Sequence, residues 1–169
     1  GQFYAALLAE CEPEPFMLYG PAYKGIPLAT ATAAALSQQH HRDVAFAFNR
    51  KEAKDHGEGG EVIGAPLRGR VVIIDDVITA GISVEQSVRI IRAAGAEPTA
   101  VAIALDREEK MDTSEQSAVA EVETQFDLPV HVIAHFSTLV TYLERHSVLA
   151  RYVPAMTAYR SLYGAKPSR

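Results

Sequence analysis

The sequence has little cysteine and no long apolar segment, and these absences exclude several kinds of protein. Its 169 residues include a single cysteine, Cys11, so an internal disulfide and a metal site built from several cysteines are both excluded. No apolar run approaches the roughly 18 residues that are needed to cross a bilayer. A net charge of −5 argues against a surface made for nucleic acid or anionic membranes. We therefore expect a cytoplasmic protein that binds neither nucleic acid nor membrane.

What the sequence does contain is an alternation of strand-like and helix-like segments. Short runs of β-branched or apolar residues predict strands at 16–19, 44–48, 71–74, 100–105 and 130–134. Helical patterns are found at 27–36, 84–94, 114–125, 139–144 and 155–162. Strands that alternate with helical crossovers predict one α/β domain over residues 1–169, with a parallel sheet covered by helices on both faces.

One segment, residues 71–81, carries most of the functional information. Its four β-branched apolar residues at 71–74 predict a strand that is buried on both faces. Asp75 and Asp76 end this strand, and Thr79-Ala80-Gly81 opens the next predicted helix. Carboxylates can hold hydroxyls or a metal, and small residues at a helix N-terminus allow backbone amides to approach a phosphate. The segment therefore predicts a site for a phosphorylated, hydroxyl-rich ligand.

Small and polar residues also follow three other predicted strands. They are Gly20-Pro21-Ala22-Tyr23-Lys24-Gly25, Asn49-Arg50-Lys51 and Asp106-Arg107. Because ligands of parallel sheets bind at the carboxyl ends of the strands, we expect these groups to share one site with the acidic pair. The charged, glycine-rich stretch 54–61 is too polar for a core and predicts a mobile loop that closes over the ligand and excludes water.

Taken together, these blocks resemble the orotate phosphoribosyltransferases, which belong to the type I phosphoribosyltransferases. Residues 72–81 resemble the signature that binds 5-phosphoribosyl 1-diphosphate (PRPP). The block 20–25 and the run 48–60 resemble bacterial members, in order and at matching spacing, and the run 48–60 is the most specific part. The resemblance implies an α/β fold of the type I phosphoribosyltransferase kind: a central, mostly parallel sheet flanked by helices, with a mobile lid loop.

The resemblance also implies a reaction. The 5-phosphoribosyl group of PRPP would be transferred to orotate, giving orotidine 5′-monophosphate and pyrophosphate in pyrimidine synthesis. It further implies Mg²⁺ held mainly by substrate oxygens, with no metal site formed by the protein alone, and a homodimer with shared active sites.

The same resemblance implies roles for individual residues. PRPP would be contacted by Tyr23, Lys24 and Arg50 on its pyrophosphate side, by Lys51, Lys54 and His56 from across the dimer, and by Asp75, Asp76, Val77, Ile78, Thr79, Ala80, Gly81, Ile82 and Ser83 around its ribose 5-phosphate. The residues expected to be catalytic are Lys54, His56, Asp75 and Asp76. Orotate would be reached by Thr79 and Arg107, and a guanidinium can bind a carboxylate through paired hydrogen bonds.

The orotate phosphoribosyltransferases carry an N-terminal segment with a lysine that contacts PRPP and aromatic residues that cover orotate. Here Ala5-Ala6-Leu7-Leu8 has the pattern of a helix interior, with no helix start signal before it. We therefore expect this sequence to lack that segment and to continue upstream in the natural protein.

Two alternative functions remain open on the same fold. One is a purine-base phosphoribosyltransferase, which the run 48–60 and Arg107 disfavour. The other is a non-catalytic regulator that senses PRPP or a nucleotide. The acidic charge balance and the basic loop residues disfavour a regulator, because such regulators usually bind nucleic acid and need no catalytic loop.

Overall fold

The computed structural model describes residues 1–50, 62–111 and 114–165. The strands are β1 (Met17–Gly20), β2 (Phe46–Asn49), β3 (Val62–Gly64), β4 (Arg70–Asp75), β5 (Glu97–Asp106) and β6 (Val130–His135). The helices are α1 (Gln2–Cys11), α2 (Gly25–His40), α3 (Ile82–Ala93), α4 (Ala118–Phe126), α5 (Phe136–Glu144) and α6 (Val153–Tyr163), with a short 3-10 helix at Ala150–Tyr152. The predicted lid stretch 54–61 lies outside the described residues.

The six strands form one sheet in the order β3-β2-β1-β4-β5-β6. All neighbouring pairs are parallel except β2 and β3, which are antiparallel. The prediction of a mostly parallel sheet is therefore confirmed, and each of the five predicted strands is present. Strand β3 was not predicted, because three residues are too few to show a periodic pattern and its pairing with β2 is a tertiary contact.

Strand β4 lies at the centre of the molecule and explains the apolar run in the sequence. Val71 and Ile73 face a core cluster shared with α3 and α4, whereas Val72 and Ile74 face a second cluster shared with α1 and α2. All four side chains are fully buried. Alternate residues of a strand point to opposite faces, so a strand covered on both faces must be apolar at every position.

Helix α1 is attached to the sheet at the end where β4 and β6 begin. The buried carboxylate of Glu12, which directly follows α1, pairs with Arg70 of β4 at 2.7 Å and with the Nε2 atom of His131 in β6 at 2.9 Å. A ten-residue helix is about 15 Å long. The first turn of α1 therefore reaches toward the other end of the sheet, where the parallel strands have their carboxyl ends.

The two last helices extend the fold beyond β6. The rings of Phe136 in α5 and Tyr159 in α6 stack with centroids 5.9 Å apart, and the Tyr163 ring lies 4.7 Å from that of Tyr159. No helix among the described residues is both long and apolar enough to cross a membrane.

Candidate active site

Asp75, the last residue of β4, closes the loop that follows it. One carboxylate oxygen accepts a hydrogen bond from the Asp76 backbone N–H at 2.9 Å, and the other accepts one from the Ser83 hydroxyl at 2.9 Å. The residue is 9% exposed. Burial raises the pKa of Asp75, although these two hydrogen bonds oppose the shift. Both oxygens of Asp75 therefore hold the loop onto the end of the strand.

Asp76 differs from its neighbour because it faces Lys24, in the loop after β1. The Lys24 ammonium lies 2.8 Å from a carboxylate oxygen of Asp76. Partial burial pushes the pKa of Asp76 upward, but the hydrogen bond and charge of Lys24 outweigh it and lower the pKa below its usual range. Asp76 thus has the lower pKa of the two acids, and its carboxylate remains open to the cavity.

The turn at 79–81 leads directly into α3. Gly81 precedes the helix with a φ of 68°, a left-handed conformation that glycine adopts without steric cost. Thr79 and Ala80 are exposed, so backbone groups here are accessible to a ligand. The first N–H groups of a helix lack intrahelical partners and carry partial positive charge. This end of α3 can therefore bind a phosphate.

The acids and the turn line one cavity of about 560 Å³. Of the predicted PRPP-binding residues, it brings together Tyr23, Lys24, Asp75, Asp76, Val77, Ile78, Thr79, Ala80, Gly81, Ile82 and Ser83. Asn49 also lines this cavity, and its side-chain oxygen accepts the backbone N–H of Ala22 at 2.8 Å. The amide thereby ties the loop after β1 to the end of β2.

A second cavity of about 540 Å³ lies on the other side of the turn and contains Arg107. The guanidinium pairs with Glu109 at 2.7 Å, and Glu109 also accepts a hydrogen bond from the Tyr159 hydroxyl. Thr79 and Ala80 line both cavities, so the two adjoin at this turn.

The loop that carries Arg107 is fixed by the last two helices. The Glu108 carboxylate accepts hydrogen bonds from the Ser137 hydroxyl at 2.6 Å and from the Ser137 backbone N–H at 3.2 Å. The backbone N–H of Lys110 donates to the Tyr163 carbonyl at 2.9 Å. Helices α5 and α6 therefore set the position of the arginine.

The remaining predicted site residues are placed elsewhere or lie outside the described residues. Arg50 follows β2, and in the described part of the chain it lines neither cavity. Lys51, Lys54 and His56 lie outside the described residues. Within residues 1–50, 62–111 and 114–165, no three His, Cys, Asp or Glu side chains are grouped so that they could hold a metal ion.

Two site residues were missed by the sequence analysis. Asn49 directly precedes Arg50 in a block already singled out, and its position after a strand was the available signal. Glu109 lies two residues beyond Arg107, and the sequence carried no signal that it would pair with that arginine.

Comparison with known proteins agrees with this geometry. The chain matches the phosphoribosyl transferase domain family over residues 4–134. It is 54% identical over 164 residues to the orotate phosphoribosyltransferase of Thioalkalivibrio sulfidiphilus, covering 97% of this chain and 76% of the relative. It is 56% identical over 170 residues to that of Bordetella petrii, covering 96% and 76%.

A solved structure gives the same result for the fold. The crystal structure of orotate phosphoribosyltransferase from Francisella tularensis matches with a TM-score of 0.81 at 31% identity, covering 96% of this chain and 77% of the other. The predicted fold class and family resemblance are confirmed. Together, the identities and their coverage show that this chain belongs to the orotate phosphoribosyltransferase family.

Proposed function

We propose that this protein transfers the 5-phosphoribosyl group of PRPP to orotate, giving orotidine 5′-monophosphate and pyrophosphate in pyrimidine synthesis. The observation that carries the proposal is the junction of the two cavities at Thr79 and Ala80. A ribosyl donor in the acidic cavity and an anionic ring beside Arg107 would meet at this turn. The names of relatives at 54% and 56% identity support the same reaction.

On the PRPP side, the 5-phosphate would occupy the N-terminus of α3. Ser83 and the turn at 79–81 surround this position, and the helix N-terminus favours a dianion. Since both oxygens of Asp75 are engaged with the loop, we assign the contact with the ribose hydroxyls chiefly to Asp76. Tyr23 and Lys24 lie on the side where the pyrophosphate would leave.

The reaction forms a bond between a ring nitrogen of orotate and the ribose C1′ atom as the bond from C1′ to pyrophosphate breaks, and the proton of that nitrogen passes to the departing pyrophosphate or to water. Positive charge develops on the ribosyl group, and the charged carboxylate of Asp76 would stabilise it. Negative charge develops on the leaving pyrophosphate, and the Lys24 ammonium would stabilise that charge. Arg50, Lys51, Lys54 and His56 are proposed to share this role, on the basis of the family resemblance.

The residues present fit a Mg²⁺ ion that is held mainly by substrate oxygens. Asp76 is a carboxylate open to the cavity, and it could accept hydrogen bonds from metal-bound water. When bound, Mg²⁺ would supply charge neutralisation to the pyrophosphate. Among the described residues of this cavity, Asp76 is the one acid whose carboxylate is not taken up by the loop, so substrate oxygens would be needed to complete the coordination.

On the base side, Arg107 would bind the orotate carboxylate. In the structure its partner is Glu109, so an incoming carboxylate would compete with that side chain. A guanidinium has five N–H donors and no acceptor, so the proposed role of Arg107 is recognition of an anion.

A homodimer with shared active sites is part of the proposal, since Lys51, Lys54 and His56 would act across the dimer. A cytoplasmic location stays a prediction. The purine-base and regulator alternatives gain no support from the relatives, which carry the orotate name.

The test is the fall in orotate ultraviolet absorbance after PRPP and Mg²⁺ are added to the purified protein. We expect orotate to disappear only when both are present, and the same assay with adenine or hypoxanthine to show no PRPP-dependent change. Consumption of a purine base instead would support the purine alternative. PRPP binding by calorimetry without any base consumed would support the regulator.

A further inference from the structure

We propose that Tyr4 is a positioning residue for the acidic pair: its phenol fixes the peptide between Asp75 and Asp76 and so aims the Asp76 carboxylate. The inference rests on the proposed function for its consequence in catalysis. It concerns α1, an element in which the sequence analysis identified no functional residue.

The contact that carries the proposal joins residues 71 positions apart. The Tyr4 hydroxyl donates a hydrogen bond to the backbone carbonyl of Asp75 at 2.7 Å, and Tyr4 is 4% exposed. That carbonyl belongs to the peptide whose N–H, from Asp76, donates to the Asp75 carboxylate. Both polar groups of the peptide are therefore held, and its plane is fixed.

The next carbonyl along the chain is fixed as well. The oxygen of Asp76 accepts the backbone N–H of Ala104 at 2.9 Å and that of Leu105 at 3.3 Å, both from β5. With the groups on either side of the Asp76 α-carbon held, the backbone sets the direction of its Cα–Cβ bond, and Lys24 then holds the carboxylate. Among the described contacts to these two carbonyls, the one from Tyr4 comes from a helix rather than from the sheet.

Helix α1 provides a fixed support for the phenol. Its last turn is tied to β4 and β6 through the ion pair and hydrogen bond of Glu12, and Ala5 and Leu8 are completely buried against the sheet and α2. Tyr4 thus extends from a helix that is anchored at its other end.

The chemical state of Tyr4 suits a fixed donor. Burial raises the pKa of Tyr4 far above its usual value, and the nearby carboxylates of Asp76 and Asp75 raise it further. The phenol is buried, donates to a backbone carbonyl and lines neither of the two cavities that the described residues form, so it has no contact with the reacting atoms. Its effect on catalysis would pass through the position of the acids.

Small displacements matter here because a group that stabilises a transition state must lie close to its productive position. Tyr4→Phe removes only the hydroxyl and retains the buried ring. We expect kcat to fall about tenfold, which corresponds to the net value of about one hydrogen bond. The KM for orotate should stay within about twofold of the wild-type value, because the base side is not touched.

Thr32→Val is the matched control. Thr32 is completely buried on α2, the helix that packs against α1, and its hydroxyl has no hydrogen-bond partner among the described residues. Removing this hydroxyl should leave kcat unchanged. Thermal unfolding of both variants shows whether a loss of activity follows from a loss of folding.

A double substitution separates positioning from a general structural effect. In an Asp76→Asn background, Tyr4→Phe should cost much less than tenfold in kcat, because the group that Tyr4 aims is already gone. An unchanged kcat in the single variant, or the same tenfold loss in the Asp76→Asn background, would overturn the inference.

Hydrogen exchange tests the inference independently of turnover. The Leu105 amide, which donates to the Asp76 carbonyl at 3.3 Å, should exchange faster in Tyr4→Phe than in wild type and at the wild-type rate in Thr32→Val. If wild-type protein fails to consume orotate, the proposed function fails, but this measurement still decides the role of Tyr4. Equal exchange in all three proteins would contradict it.

Discussion

The ribose-phosphate side of the site and its base side are built in different ways. On the first side, the acids and the phosphate-binding turn come from one unbroken segment, residues 75–83, with Tyr23, Lys24 and Asn49 beside it. Internal hydrogen bonds from Asp76 and Ser83 to the Asp75 carboxylate close the segment, and Tyr4 and β5 contact its first two carbonyls from distant parts of the chain.

The base side is assembled from distant parts of the chain. Arg107 forms an ion pair with Glu109 nearby, but Glu109 accepts a hydrogen bond from Tyr159, 50 residues further along the chain. Glu108 accepts a hydrogen bond from Ser137, 29 residues further along. Helices α5 and α6 therefore act as the frame of the recognition loop.

This difference suggests that the two sides can be altered separately. Changes at Asp76 or Gly81 should affect PRPP and the chemical step, and changes around Arg107 should affect orotate alone, whereas Thr79 and Ala80 line both cavities. The predictions below test that separation, beginning with the largest expected effect.

Asp76→Asn should lower kcat on the order of 100-fold, because the transition state loses a charged group beside the ribosyl cation. The KM for orotate should change little. Steady-state kinetics with each substrate varied would measure both values. Asp43→Asn, at an exposed position bonded to Ser37, is the control and should retain wild-type turnover. If kcat of Asp76→Asn falls by less than about threefold, Asp76 does not contribute to the chemical step.

Arg107→Ala should raise the KM for orotate roughly 10- to 100-fold, the range expected when hydrogen bonds to a charged group are lost. The KM for PRPP should stay near its wild-type value. Arg151→Ala, on the exposed 3-10 helix, provides a comparison with equal loss of charge. An equal rise in the KM for orotate and the KM for PRPP would mean that the base side and the ribose-phosphate side are not independent.

Gly81→Ala should reduce the free energy of unfolding by about 1–2 kcal/mol, because an alanine is strained in a left-handed conformation. Gly95→Ala is the comparison, because the φ angles are 68° and 77°. A Cβ added at Gly95 would meet no heavy atom within 4 Å, whereas one at Gly81 would lie 3.3 Å from the Cγ2 atom of Val122. Chemical denaturation should show similar decreases in the free energy of unfolding for the two variants. Calorimetry with PRPP should show weaker binding only for Gly81→Ala, and weaker binding for both would contradict a local role for the turn.

Glu109→Gln should lower the KM for orotate about two- to threefold, consistent with the small free energy of a partly exposed ion pair. Arg107 would lose the carboxylate that competes with orotate. Kinetics with orotate varied at saturating PRPP would measure the change. Glu144→Gln, at an exposed position, controls for net charge. A higher KM in Glu109→Gln would show instead that Glu109 mainly holds Arg107 in place.

The smallest expected effect concerns acid stability and Lys24. The lowered pKa of Asp76 means that its charge contributes stability above the ordinary pKa of an aspartate, near 4, and that this contribution is lost as the pH falls through the lowered value. Lys24→Gln should raise the pKa of Asp76 and shift acid unfolding to higher pH. Carboxyl NMR titration and acid unfolding would measure the two changes.

Lys110→Gln serves as the control for that titration, since Lys110 is exposed and lies in the loop after β5. This substitution removes one positive charge, as Lys24→Gln does, but leaves the ion pair between Lys24 and Asp76 intact. An identical shift in both variants would indicate a general charge effect.

The ribose-phosphate side could be predicted from the sequence because its physics is local. An apolar strand, two acids and a small-residue turn are consecutive, so their relative positions follow from the geometry of a strand and a helix N-terminus. The strand order and β3 could not be predicted, because pairing between strands depends on contacts between distant segments.

The sequence also could not distinguish Asp75 from Asp76. They are neighbours of the same residue type, and only their surroundings separate them: one is buried with both oxygens bonded to the loop, and the other faces Lys24. The same limit applies to Glu109, whose partners are known only once α6 is packed beside the loop.

By itself, the sequence determined the alternation of strands and helices, the acidic pair with its turn, and the family resemblance, since each rests on residues close together in the chain. Only the tertiary structure decided which acid remains open to the cavity, which helices hold Arg107 and which phenol reaches Asp75. Those outcomes depend on burial and on hydrogen bonds between residues up to 71 positions apart, and a one-dimensional pattern does not contain them.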